Sequence, residues 1–551
     1  MSIVQVEQLK YKYPDSETLA INNLSFTVEK GEFVGIVGMN TAGKSTLCYA
    51  LCGLVPHFFK GAYGGTVTID GMDILTHEIS DITSKVGLVF ENPFSQMTGA
   101  KFTVYDEIAF GLENMGLARD DMHTRINESM RMLDIEKLKD ENPFSLSGGQ
   151  MQRVAIASVI AMKPDVLVLD EPTSQLDPEG TEEVFKIVEM LSKQGMTIIM
   201  VEQKLEKMAE YADRILLMHA GKIVHDGNPA EVFSRDDLLQ YGVEPPLYAK
   251  ISRKLGMQNS KTGLYPVTLD SMAIDRPLTF NYEKIMPISS NTSTIDVTSL
   301  HFAYNKGTGI INGLDVSLTG EPIAIIGQNG AGKSTFVKLL KALVKPDSGE
   351  IQLDGKPISS STAAKLASKI GLVFQNPNDQ IFKNSVWDEV MFGPLTIGQS
   401  KEVAAANTKK MLELVGLLHR SDENPYDLSL AERKMVAVAS ILAMDTNVII
   451  FDEPTMGQDH LGKLKMKEII HSLYEQNKLV ICILHDMDFV AETFGRTLIF
   501  SDGQMLFDGS TRDAFAKKDK LRQTRVEQPH LTQFVRKSGY EEIVLTVDEL
   551  I

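Results

Sequence analysis

Two lysines close loops of a kind that holds phosphate. GMNTAGKST at Gly38–Thr46 and GQNGAGKST at Gly327–Thr335 both read Gly-x-x-x-x-Gly-Lys-Ser. Glycines in such a loop let the backbone curl, so that several N–H groups point at one phosphate. A helix starting at the lysine adds its positive end. Lys44 and Lys333 are placed to reach the β- and γ-phosphates of a nucleotide, and Ser45 and Ser334 to ligate Mg2+. The candidate phosphate-binding residues are Gly38, Asn40, Gly43, Lys44, Ser45 and Thr46 in the first loop. In the second they are Gly327, Asn329, Gly330, Gly332, Lys333, Ser334 and Thr335. Two carboxylate pairs, Asp170–Glu171 and Asp452–Glu453, follow unbroken apolar runs. The first acid of each pair suits the Mg2+ and its water shell, and the second can orient or deprotonate an attacking water. The chemistry these residues imply is Mg2+-dependent cleavage of a nucleoside triphosphate.

The elements that must position them are short buried strands. Val34–Val37 and Ile323–Ile326 lead straight into the glycine loops, and Val166–Leu169 and Val448–Phe451 lead into the acids. Continuous apolar runs of this length read as strands buried on both faces of a parallel sheet, so the fold class is α/β. It occurs twice. VGLVFENP at Val86–Pro93 returns as IGLVFQNP at Ile370–Pro377, and VLVLDEPTSQLD at Val166–Asp177 as VIIFDEPTMGQD at Val448–Asp459. The lysines are offset by 289 and the aspartates by 282, so a whole domain is repeated. The first copy covers about 1–243 and the second 294–551 with a C-terminal tail. Residues 244–293 read as a linker with a short helical piece.

Composition narrows the partners. The 551 residues are 43% hydrophobic and 23% charged, as in ordinary globular domains, but the net charge is -18. An acidic chain repels phosphate backbones, which argues against a nucleic-acid role. The three cysteines, Cys48, Cys52 and Cys482, include no Cys-x-x-Cys pair and read as small buried side chains in a reducing compartment. The opening MSIVQVEQLKYKYP lacks the pattern of a signal peptide, and no run of about 18 apolar residues occurs, so a membrane role is expected to come through partners.

LSGGQMQRVAIA at Leu146–Ala157 is similar to the signature sequence of ATP-binding-cassette ATPases. The resemblance implies two tandem cassettes, each with a parallel core sheet, an antiparallel β subdomain and a helical subdomain. It implies ATP and Mg2+ as cofactors, and an aromatic residue stacking on adenine, by position Tyr13 and Tyr304. It also implies head-to-tail pairing of the cassettes within the chain. Each ATP would lie between the phosphate loop of one cassette and the signature of the other, here Ser147, Gly148, Gly149 and Gln150 in the first copy.

The second copy departs at its signature, LSLAERKMVAVA at Leu428–Ala439. Leu430 and Ala431 replace the glycines that let backbone N–H groups approach a phosphate, Glu432 replaces glutamine and Met435 arginine, while Ser429 survives. Glu432 is expected to add negative charge near phosphate. The first copy departs elsewhere, with Glu91 where the second has Gln375 and Gln203 where the second has His485. The family glutamine, Gln375 here, would serve the metal and the water, and the histidine would contact the γ-phosphate. Glutamine hydrogen-bonds but cannot become cationic. Combined crosswise, the first site takes Lys44, Ser45, Glu91, Asp170, Glu171 and Gln203 with the altered Ser429 signature. The second takes Lys333, Ser334, Gln375, Asp452, Glu453 and His485 with the intact one. One hydrolytic site and one slow site are expected.

ENPFSQMTGAKFTVYDEIAFGLENMG and QNPNDQIFKNSVWDEVMFGPLTIG resemble the segments by which energy-coupling-factor importer ATPases receive the coupling helices of a transmembrane scaffold subunit. That resemblance implies a peripheral protein on the cytoplasmic face of the cell membrane, a scaffold partner and a membrane substrate-binding subunit. The cargo would be a vitamin, a vitamin precursor or a metal ion. The competing reading is a soluble tandem-cassette factor acting on ribosomes or nucleic acid. It predicts a long basic linker and two intact signatures. Residues 244–290 hold only six Lys/Arg against four acids, and the second signature is altered.

Overall fold

Alternation of buried and exposed residues from Leu24 onward makes Ile21–Glu29 a half-buried strand, whereas Val166–Asp170 is buried at every position. These two patterns build two kinds of sheet. The computed structural model describes residues 2–14, 16–174, 176, 178–274, 277–282, 293–304, 309–359 and 361–551. They fall into two units, Met1–Ala273 and Ile274–Ile551.

In the first unit Ser2–Lys12 pairs antiparallel with Ile21–Glu29 on one side and Ala62–Ile69 on the other. A six-stranded sheet has the order Lys222–Gly227, Arg214–His219, Phe33–Val37, Thr197–Val201, Val166–Asp170, Val86–Val89, parallel except for its first pair. Alternate residues of the buried strands face opposite layers. Val34, Ile36 and Val168 pack with Val4, Leu9 and Phe26 of the antiparallel sheet. Phe33, Val37, Leu167 and Leu169 pack with Val154, Ile156, Phe185 and Val188 on the helical side. The second unit repeats the plan: order Ile370–Val373, Val448–Asp452, Leu479–Ile483, Ile323–Ile326, Arg496–Ser501, Gln504–Ser510, with Ile295–Phe302 central in its antiparallel sheet. The α/β class with parallel cores, antiparallel sheets and a helical middle is therefore present twice. In each unit the glycine loop and the acid pair leave the carboxyl ends of strands separated by one other, where open α/β sheets bind ligands.

The segment 244–293 divides between the units. Helix Leu247–Lys254 belongs to the first: the Leu247 N–H donates to Glu206 Oε1 (2.9 Å), and Arg253 Nη2 donates to the Ser234 carbonyl (2.9 Å). Residues 278–282 belong to the second, where the Asn281 N–H donates to the Glu549 carbonyl (2.8 Å). Residues 275–276 and 283–292 of this linker lie outside the described residues, as do Gln175 and Asp177 of the first DEPTSQLD run. The C-terminal tail is folded. Helix His530–Lys537 buries Leu531, Phe534 and Val535, and Arg512 pairs with the buried Glu549. This tail repeats the end of the first unit: Pro246, Arg253, Lys254 and Gly256 match Pro529, Arg536, Lys537 and Gly539 at one offset.

Candidate nucleotide sites

The phosphate loops curl through left-handed backbone. Gly38 and Gly327 have φ 153° and 150°, and a Cβ at either would lie 2.3 Å from a carbonyl oxygen, of Met218 or Phe500. Gly43 and Gly332, also left-handed, precede the helices Lys44–Leu51 and Lys333–Leu340. Each lysine turns back into its loop. Lys44 Nζ donates to the carbonyls of Gly38 and Met39 (both 2.9 Å), and Lys333 Nζ to those of Gly327 (2.7 Å) and Gln328 (2.9 Å). The ammonium thus stands inside the cradle that a phosphate would share. Ser45 Oγ donates to Asp170 Oδ1 (3.1 Å) and Ser334 Oγ to Asp452 Oδ1 (3.4 Å). Hydroxyl and carboxylate oxygens meeting beside such a loop are the donor set that suits Mg2+, so the residues fit the ion. Asn329 and Thr335 sit in the second loop and first helical turn, as do Asn40 and Thr46 in the first. Thr41 stands where the second copy has Gly330, at φ 67° against 79°. A β-branched residue in that region is strained. The departure lies inside a motif readable in the sequence.

The carboxylate pairs are buried, and Glu171 and Glu453 both hold left-handed φ, 46° and 53°. Their surroundings differ. Glu453 Oε1 lies 3.0 Å from His485 Nε2, off the ideal hydrogen-bond direction, and Oε2 accepts from Gln375 Nε2 (2.9 Å). Burial alone would raise Glu453. His485, Lys333 and Lys434 outweigh it and hold the carboxyl below its ordinary value. Glu171 Oε2 accepts from Gln203 Nε2 (2.8 Å), which also donates to Asn40 Oδ1 (3.0 Å). Burial raises Glu171 despite Lys44, and Glu202 adds to the rise. Burial, then Glu171 and Asp170, push Glu91 up to about 7. Asp170 and Asp452 are each raised to about 6, by burial and then by the neighbouring glutamate. Glu202 is a further buried acid of the first site, and the sequence comparison passed over it because it precedes the residue being compared.

The two tyrosines also differ. Tyr304 is 56% exposed, with its ring edge-on to Phe302 (4.9 Å). Tyr13 sits edge-on to Tyr11 (4.8 Å) and Phe59 (6.3 Å), its hydroxyl 3.2 Å from Thr46 Oγ1. Both signature serines cap their helices, Gly148–Ala161 and Leu430–Leu442. Ser147 Oγ accepts from the Gln150 N–H, and Gln150 Oε1 takes the Ser147 N–H. Ser429 makes the same reciprocal cap with Glu432 and in addition donates its hydroxyl to Glu432 Oε2 (2.7 Å), and Arg420 Nη1 pairs with Glu432 Oε1 (2.7 Å). Glu432, expected to add negative charge near phosphate, is engaged by Ser429 and Arg420 at its own helix cap. Burial would raise it, but Ser429 and then Arg420 hold it ionised and spent on its own helix cap. The Ser429 hydrogen is thereby given to its own cap.

Residues 21–174 and 312–456 each match the family described as ABC transporter. A relative from Methanosarcina mazei, bearing the name of an ABC transporter ATP-binding protein, is 36% identical over 100% of this chain and 96% of its own length. A similarly named relative from Caldanaerobacter subterraneus subsp. tengcongensis is 34% identical over 99% and 98%. The solved structure of cbiO1 from Clostridium perfringens, described as part of the ABC transporter complex cbiONQ, is 33% identical. It covers 46% of this chain and 96% of its own, at a TM-score of 0.39.

Proposed function

Because the chain belongs to the ABC transporter family of ATP-binding proteins, we propose that it is the energy-coupling ATPase of a membrane importer of the energy-coupling-factor type, taking up a vitamin, a vitamin precursor or a metal ion. The observation that carries the reading is aromatic surface in the helical middle of both cassettes. In the first cassette Phe94, Phe144 and Phe102 (77% exposed) lie between the Glu91 loop and the signature helix. In the second Phe392, Tyr426 and Phe382 (57% exposed) lie in the equivalent stretch. Large aromatics left in water in both stretches, with Phe144 and Tyr426 at one repeat position, mark a binding surface. The occupants proposed are the coupling helices of a transmembrane scaffold, with a membrane substrate-binding subunit beside it. Among the described residues no helix is long and apolar enough to cross a membrane.

In this reading the cassettes pair head to tail within the chain and close on two ATP molecules at the cytoplasmic face of the membrane. Lys333 and the N–H groups of Gly327–Thr335 bind the β- and γ-phosphates, and Ser334, Asp452 and Gln375 hold Mg2+, which neutralises phosphate charge. Tyr304 stacks on the adenine. Glu453, kept ionised, orients or deprotonates the water, and His485 steadies it against the γ-phosphate. Ser147–Gln150 close over that nucleotide. The first site binds ATP through Lys44, Ser45, Thr46, Asp170 and Glu91, but turns over slowly, because Gln203 gives Glu171 a neutral amide where Glu453 has His485, and Ser429 is spent on Glu432.

The test is affinity purification of the tagged full chain from detergent-solubilised membranes, with mass spectrometry of the co-purifying proteins. A scaffold membrane protein with a small, very hydrophobic subunit is expected, and Phe102→Asp with Phe382→Asp should release both. Ribosomal proteins, or no membrane protein, would overturn the reading in favour of a soluble factor.

A further inference from the structure

The altered signature helix of the second cassette carries a buried cation that the ATP chemistry above does not use. Lys434 is 4% exposed, and its Nζ donates to the carbonyls of Glu453 (2.8 Å) and Met456 (3.0 Å). A second tie runs beside it: Gln458, also buried, donates from Nε2 to the Ala431 carbonyl (3.1 Å) at the start of the same helix. The offset of 282 that relates Asp170 to Asp452 places Gln152 opposite Lys434 and Leu176 opposite Gln458. Gln152 is equally buried, and its Nε2 has no hydrogen-bond partner among the described residues. Among the described residues both ties therefore belong to the second cassette alone, the one whose glutamate is paired with His485.

We propose that Lys434 is a positioning residue for Glu453, binding the loop after the acid pair to the cassette's own signature helix so that the carboxylate holds its place. This rests on the reading of Glu453 as the group that acts on water. Glu453 is in strained left-handed backbone, at φ 53°, which persists only when its surroundings fix it. A carbonyl held by a buried ammonium is such a constraint, and it acts on the strained residue itself. The cation also stands near Glu453 and Asp452, where its charge opposes their burial. Burying an ammonium without a directly paired carboxylate is costly; desolvation brings Lys434 down to about 8 despite those acids. The helix that has lost its glycines thus keeps a task inside its own cassette, and Ser429–Ala439 is retained as structure while its serine is engaged by Glu432.

The test is Lys434→Gln, which installs the first cassette's residue, in the full chain with its membrane partners. A fall in kcat of about 10- to 100-fold is expected, because small misplacements of a reacting group cost that much, with KM and equilibrium binding of ATP changed less than about twofold. Added to Glu453→Gln, it should cost nothing further, because Lys434 acts through that carboxylate. Gln458→Leu removes the second tie without touching a charge and should lower kcat in the same direction, by less. Unchanged kcat in both variants overturns the proposal. So does a fall that multiplies with that of Glu453→Gln, which would mark a role in folding alone. If Glu453→Gln itself leaves turnover intact, the assignment of the hydrolytic site fails instead, and the two failures are told apart.

Discussion

Exchanging one oxygen for an amide nitrogen in each cassette separates the two sites. Glu453, the proposed activator of water, has its pKa held below the ordinary value and lies beside His485 and Gln375. Glu453→Gln removes the negative charge and the proton acceptor while keeping the shape. A positioned general base contributes about 100- to 10,000-fold, so kcat should fall by that factor, about 2.7–5.4 kcal/mol of barrier. Glu171 has the same place in the first cassette, but burial raises it and its nearest partner is a neutral amide. Glu171→Gln should therefore change kcat by less than about twofold, about 0.4 kcal/mol. The assay is steady-state phosphate release by the purified full chain in its membrane complex, with ATP binding measured alongside. Binding should survive in both variants. Equal losses, or a larger loss from Glu171→Gln, would refute the asymmetry, since both acids share burial, strained φ and sequence context and differ only in their neighbours.

Three further outcomes follow from named contacts. Thr41→Gly relieves left-handed strain in the first phosphate loop, and the first cassette should gain about 0.5–1 kcal/mol of stability after the added freedom of glycine, read by urea unfolding. The triple change Leu430→Gly, Ala431→Gly, Glu432→Gln frees the Ser429 hydroxyl from its own cap; in a Glu453→Gln background, release of occluded ATP should slow about tenfold, a charge-assisted hydrogen bond being worth about 1.5–3 kcal/mol. Burial depresses Lys341 from 10.5 to about 8, so the unfolded chain holds more protons than the folded one between those values, and the second cassette should gain stability as pH rises through that window; Lys341→Met should flatten this rise and stabilise the cassette at neutral pH by about 1–3 kcal/mol, net of the lost hydrogen bond to the Ile370 carbonyl, read by urea unfolding.

The parts of the sites that are local in sequence were legible there. Gly38–Thr46 and Gly327–Thr335 announce their curl because glycine spacing fixes it, and Val166–Asp170 announces its burial by five apolar or strand-end residues in a row. Contacts over long separations were not. The Ser429–Glu432 cap is a local Ser-x-x-Glu pattern, but that Arg420, twelve residues upstream, pairs with Glu432 depends on the turn that carries it, and this pairing offsets the charge expected from residue type alone. Thr41 was readable against Gly330, but only its φ shows that the loop keeps the glycine's conformation rather than avoiding it. The folded tail went unread because its likeness to residues 245–256 rests on four scattered identities in charged segments without a catalytic motif.

What residue types could not reveal is that the substitutions share one electric field. Along the offset of 282, Glu202 stands opposite Leu484, Gln203 opposite His485 and Gln152 opposite Lys434, while Glu91 stands opposite Gln375. Each exchange looks minor alone. Together they give the first site two carboxylates more and two basic side chains fewer within the shells of Glu171 and Glu453. The carboxyl groups respond in opposite directions: Glu171 rises under burial with Glu202 added, and Glu453 falls under His485, Lys333 and Lys434. A triphosphate brings several negative charges of its own, so the crowded site tolerates it only while some of its acids are protonated or screened by a cation. An acid that must be neutral for its site to accept ATP cannot also be the base that activates water. On this argument the slow turnover proposed for the first site is a property of its whole charge set, and restoring a single residue, Gln203→His or Glu91→Gln, should recover only a small part of the activity that both together recover.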